Sequence, residues 1–210
     1  NWTLTYDSTL PSINFTYPTL PNNTQTTSTS IEINVSITES SLGEVKFNWN
    51  STNFTIYNDS LVLMMNFENL SSLGENSTRV VDLSRYSNNG TNNGGVNWTS
   101  GGRYGGAYSF DGVDDYIILG TPSSLEGLQV NLTISGWFKQ ISTSSGNGMH
   151  PIYSAYKSTI NHGLWSMVRI DSGTLKYYTS TASGGYQSTG SFTPSISNWH
   201  FFAIVINGSL

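Results

Sequence analysis

Tyr104-Gly105-Gly106-Ala107-Tyr108-Ser109-Phe110-Asp111-Gly112-Val113-Asp114-Asp115-Tyr116-Ile117 is the stretch whose reading decides the fold. Tyr108 and Phe110 alternate with smaller residues, Tyr116, Ile117 and Ile118 open a second apolar run, and Asp111-Gly112 is the kind of pair that closes a tight turn. The spacing predicts a β-hairpin with one buried face. No nucleophile, base or metal-ligand pattern lies beside it, so the stretch reads as part of a display fold and not of an enzyme.

The same period of two recurs outward from there. Leu61, Leu63 and Met65 share one side of a predicted strand. Ile134, Gly136 and Phe138 alternate with Thr133, Ser135 and Trp137, and Phe201, Ala203 and Val205 alternate with Phe202 and Ile204. Strands apolar on both faces predict a two-layer sandwich. Upstream, Trp2, Leu4 and Tyr6 mark a single strand, followed by predicted strands over Ile13 to Tyr17, Ile31 to Ile37 and Val45 to Thr55. No ten-residue stretch carries a capped 3.6-residue period, so the predicted class is all-β.

Composition narrows the function. Charged residues form 10% of the 210, against about 25% in an ordinary soluble domain, so Asn, Ser, Thr and Gly must supply the polarity. Eight Lys and Arg against thirteen Asp and Glu leave a net charge of −5. No basic stripe exists to neutralise phosphates, which excludes nucleic acid and anionic membrane surfaces as expected partners. Cysteine is absent, which removes disulfides, thiolate chemistry and Cys-ligated zinc. The apolar runs Leu61 to Met65 and Phe201 to Ile206 are far shorter than the roughly 20 residues of a spanning helix, so no membrane insertion is expected within this segment. The first residues show no charged-then-apolar leader, and an export signal is expected upstream.

Asn-X-Ser/Thr triplets begin at Asn1, Asn14, Asn22, Asn34, Asn50, Asn53, Asn58, Asn69, Asn76, Asn89, Asn97, Asn131 and Asn207, thirteen of 22 asparagines. Chance would place about six there. The excess predicts covalent N-linked glycans, which would keep a weakly charged β protein soluble and block indiscriminate pairing of sheet edges. Accumulation of triplets by composition alone is the competing account. An extracellular, cell-surface location follows from the glycan reading.

LPSINFTYPT at Leu10–Thr19 and VKFNWNSTNFT at Val45–Thr55 resemble the opening half of an Ig-like repeat in archaeal surface glycoproteins. From Ser60, the ordered segments SLVLMMNFEN, TRVVDLSRYSNNGTNNG, VNWTSGGRYGGAYSFDGVDDYIIL, LTISGWFKQ and NWHFFAIVING resemble the laminin-G-like, or concanavalin-A-like, jelly-roll family. The resemblance implies three parts: residues 1–9 as a strand of a preceding or neighbouring unit, residues 10–58 as a partial Ig-like domain, and residues 59–210 as a jelly roll without its C-terminal strands. Such unfinished sheets would be completed by further chain or by a neighbouring subunit, and in the second case the chain self-associates into a polymer.

Chemistry is mostly rejected. The two flanking carboxylates of a glycoside hydrolase come, in the β-glucanase branch, from one strand with the pattern Glu-X-Asp-X-X-Glu, and this chain carries no such pattern. Asp111, Asp114 and Asp115 read as solvated turn acids. His150, His162 and His200 are scattered, and no Gly-X-Ser-X-Gly elbow occurs. Laminin-G-like domains often bind calcium at a loop rim, which the resemblance carries onto Asp82 and Asn88; an Asx-rich turn is the alternative. Carbohydrate binding needs outward aromatics, for which Trp165, Tyr178 and Tyr186 are candidates. Alternation in Leu175–Thr181 turns one of Tyr177 and Tyr178 outward. The sequence therefore predicts a non-enzymatic structural or adhesive surface protein, or alternatively a calcium-dependent carbohydrate-binding module.

Overall fold

The computed structural model describes residues 9–39, 41–126, 131–142, 149–157, 164–171, 173–180 and 186–207. The chain is all-β, with fifteen strands in antiparallel pairings and two short 3-10 turns among the described residues. It divides into two compact units, Asn1–Leu61 and Val62–Leu210. No helix of the described residues is long and apolar enough to cross a membrane. The predicted strand at Trp2, Leu4 and Tyr6 lies outside the described residues.

Unit 1 consists of two separate strand pairs. β1 (Ser12–Thr16) pairs with β2 (Asn34–Thr38), setting Ile13 opposite Ile37 and Phe15 opposite Val35. Because side chains alternate, these four form one apolar face, while Asn14, Ser36, Thr16 and Asn34 form the polar face behind it. The region expected to be one strand over Val45 to Thr55 is instead the hairpin β3 (Val45–Trp49) and β4 (Thr52–Tyr57). Its turn residues Asn50 and Ser51 both have positive φ, 47° and 64°. That is the backbone a two-residue hairpin with right-handed strand twist demands. Here too the faces separate, with Phe47 opposite Phe54 on one side and Asn48 opposite Asn53 on the other. Phe47 stacks on Trp49 at 6.1 Å.

Unit 2 places its core between two sheets. β10 (Leu132–Lys139) pairs with β15 (Trp199–Ile206) along their whole lengths. β11 (Met149–Lys157), β12 (Leu164–Asp171), β13 (Thr174–Ser180) and β14 (Tyr186–Phe192) form a four-stranded sheet in sequence order. Val168, Ile170, Leu175, Tyr177 and Phe202 are buried together, with Ile134, Phe138 and Ile204 packed against them. Val168 is fully buried. Burial of each such aliphatic side chain stabilises by about 1.5–3 kcal/mol. The predicted alternation of β10 and β15 is the one observed: Ile134 and Phe138 face inward, Trp137 outward.

The remaining strands are short: β5 (Arg79–Val80), β6 (Gly90–Asn93) and β9 (Tyr116–Ile118) make one sheet, and β7 (Asn97–Thr99) pairs with β8 (Ala107–Ser109). The hairpin expected around Asp111-Gly112 does not form, because β8 and β9 go to different partners. Asp111 Oδ1 accepts the Val113 N–H at 2.7 Å, and Asp115 Oδ2 accepts the Asp111 N–H at 2.8 Å. Closure by side chains makes a wider loop than a two-residue turn and lets the strands part.

Residues 61–70 also depart from expectation, carrying no strand. Backbone donors here still need acceptors, and carboxylates and amides supply them. Met64 N–H bonds Asp82 Oδ1 at 2.9 Å, Glu68 N–H bonds Asn66 Oδ1 at 3.3 Å, and Leu70 N–H bonds the buried Glu75 at 2.8 Å. Glu68 in turn accepts the Gly106 N–H at 3.0 Å. A side chain at Gly105 would collide with that carboxylate, so the Gly105-Gly106 pair allows the close approach.

Candidate functional site

The acid and amide cluster singled out for calcium is held by its own loop. Asp82 is buried. Its Oδ1 accepts the N–H groups of Met64 and Ser84, both at 2.9 Å, while Oδ2 accepts the Ser84 hydroxyl at 2.7 Å and the Asn88 N–H at 2.8 Å. Asn88 Nδ2 donates to Val62 O at 2.7 Å, and its Oδ1 accepts the Ser124 hydroxyl at 2.9 Å. Those donors fill the oxygens that a calcium ion would need. The geometry is that of an Asx-centred turn pinning residues 62–64 to residues 82–89. Asp111, Asp114 and Asp115 bring carboxylate oxygens within 4.8 Å of one another at the surface, and the hydrogen bonds closing their loop account for that grouping.

The aromatic candidates are redistributed. Tyr178 is only 5% exposed. Alternation does turn it to the face opposite Tyr177, but the Arg169 guanidinium lies 4.0 Å over its ring and shields it. Trp165 and Tyr186 fall on β12 and β14, and their side chains lie outside the described residues. His200 packs against Phe192 and meets Ser195 at 3.1 Å, which is a structural setting.

A different group of rings faces solvent on the outer side of the β10–β15 pair. Trp137 lies opposite Phe201, their centroids 5.4 Å apart, with 40% and 55% of their surfaces exposed. Tyr104, from the Gly-rich loop, meets Trp137 edge-on at 5.8 Å. Arg103 stacks over both Tyr104 and Trp137, at 4.7 and 5.1 Å. Alternation separated Trp137 from Ile134 and Phe138, and Phe201 from Phe202, without saying which face is outward; the approach of Tyr104 was not legible at all, because it depends on the tertiary path of its loop.

The larger exposed apolar surfaces are in unit 1. Phe15 is 72% exposed and Trp49 is 60% exposed, and among the described residues of that unit none is buried. The sequon residues Asn14, Asn34 and Asn53 occupy the polar faces behind these apolar ones, and Asn50 sits at the hairpin turn. No family model matches the chain, and no curated protein and no solved structure matches it either.

Proposed function

We propose that the chain is an extracellular, N-glycosylated structural or adhesive surface protein, a subunit of an archaeal cell-surface filament or envelope layer joined by β-strand complementation. In this reading unit 1 is an Ig-like region and unit 2 a laminin-G-like jelly roll. The observation that carries the proposal is the two-faced character of the unit 1 strand pairs. A two-stranded pair is marginal alone and needs further strands over its apolar face or along its edge. Ile13, Phe15, Val35, Phe47 and Phe54 offer such a surface, and the sequon residues Asn14, Asn34 and Asn53 stand on the opposite side, where glycan would leave the contact clear. Purified full-length chain imaged by electron microscopy should form filaments or sheets. Discrete monodisperse particles at every concentration tested would defeat the proposal.

A second reading, a carbohydrate-binding module, is favoured by the Tyr104, Trp137 and Phe201 rings, which offer an apolar stacking surface beside a guanidinium. Retardation of the chain in polysaccharide-containing native gels, with and without chelator, tests both the binding and its dependence on calcium.

A further inference from the structure

Two sequons of unit 2 have the same pattern, Asn76-Ser77-Thr78 and Asn89-Gly90-Thr91, and the fold treats them oppositely. We infer that Asn76 is an occupied glycan acceptor and that Asn89 is blocked by the fold; the inference rests on the glycoprotein reading above.

Asn76 stands at the mouth of a two-residue turn, with its N–H and carbonyl bonded to those of Arg79 at 3.1 and 3.2 Å. The Thr78 N–H and the Thr78 hydroxyl both donate to Asn76 Oδ1, each at 2.9 Å. These bonds fix the carboxamide through its oxygen and leave Nδ2 free of any partner among the described residues, on an exposed residue. The turn is steadied from behind, where Asn92 bonds Ser77 O and Thr78 O. The sequon hydroxyl thus already sits against the amide it is to serve.

Asn89 is the reverse case. Its Oδ1 accepts the Asp82 N–H at 3.0 Å, Gly90 is buried, and a Cβ at Gly90 would lie 2.5 Å from Ile117. Thr91 is on the central strand β6, paired with Arg79 on one side and Ile118 on the other. A transferase cannot grip this triplet without dismantling the sheet.

The donor is a lipid-phosphate-linked saccharide. Transfer forms the bond from Asn76 Nδ2 to the anomeric carbon and breaks that carbon's bond to the phosphate oxygen. The phosphate leaves with the electron pair, and the amide yields one proton to the transferase base. Site-resolved glycopeptide mass spectrometry on full-length chain from its native host should find occupancy at Asn76 at least tenfold above that at Asn89. Equal or greater occupancy at Asn89, or a bare Asn76 on a chain modified elsewhere, overturns the inference alone. A chain bare at every asparagine overturns the glycoprotein reading with it.

Discussion

The Asp82 carboxylate, buried at the centre of a loop, receives the Asn88 N–H at 2.8 Å on one oxygen and the Met64 N–H at 2.9 Å on the other, and so ties the start of unit 2 to the residues that lead into β6. Replacing Asp82 with Ala strands four donors: two backbone N–H groups shared with Oδ1, and the Ser84 hydroxyl and Asn88 N–H on Oδ2. Each unmet buried group costs about 1–3 kcal/mol, with incomplete additivity. Asp82→Ala should lower unfolding stability by about 3 kcal/mol or more, measured by urea denaturation. The same filled geometry predicts that chelator leaves the wild-type midpoint unchanged; a midpoint that climbs with added calcium would show that the ion displaces these donors.

Gly90 gives a sharper steric test. Its absent Cβ would sit 2.5 Å from Ile117 Cγ2, so Gly90→Ala should destabilise by about 1–3 kcal/mol through overpacking. Combining it with Ile117→Ala should recover part of that loss, because the second change removes the colliding methyl. Thermal melts of the two single variants and the double variant give the coupling directly, and strict additivity would mean the contact is not the cause.

Legibility in the sequence followed how local each determinant was. The alternation of β10 and β15 survives into the structure because a strand's two faces depend only on neighbouring residues. Asp111-Gly112 misled because the same dipeptide serves a two-residue hairpin or a wider loop, and the choice rests on the Asp115 carboxylate reaching back to the Asp111 N–H. Val45 to Thr55 lacked an Asn-Gly or Asp-Gly pair, so the Asn50-Ser51 turn was hidden. Alternation put one of Tyr177 and Tyr178 on the second face of the strand; that residue is Tyr178, yet Arg169 covers it, and no periodicity reports a guanidinium arriving from the adjacent strand.

The outer aromatic group separates binding from stability. Arg103 and Trp137 are both exposed, and an exposed cation–π contact is worth about 0.5–1 kcal/mol. Arg103→Ala removes two such contacts and should therefore lower unfolding stability by no more than about 2 kcal/mol. If the rings hold saccharide, Trp137→Ala removes the stacking surface and should abolish retardation in polysaccharide gels while the circular dichroism spectrum is retained. Unchanged retardation would remove this face from consideration.

Core and strand-pair residues should respond to assembly in opposite ways. Ile170 is buried between the two sheets of unit 2, and its truncation to Ala should cost about 2–5 kcal/mol in any state of association. Phe15, on the uncovered face of β1, has little to lose in the isolated chain, so Phe15→Ser should change monomer stability by no more than about 0.5 kcal/mol. In a polymer that face is desolvated against another strand, and the same substitution then forfeits the burial of an aromatic ring. Light scattering across a concentration series should show Phe15→Ser raising the assembly threshold at least tenfold with the monomer's denaturation curve unmoved. An unchanged threshold would place the contact on some other surface, since a ring that is neither buried at home nor buried in the assembly contributes to neither.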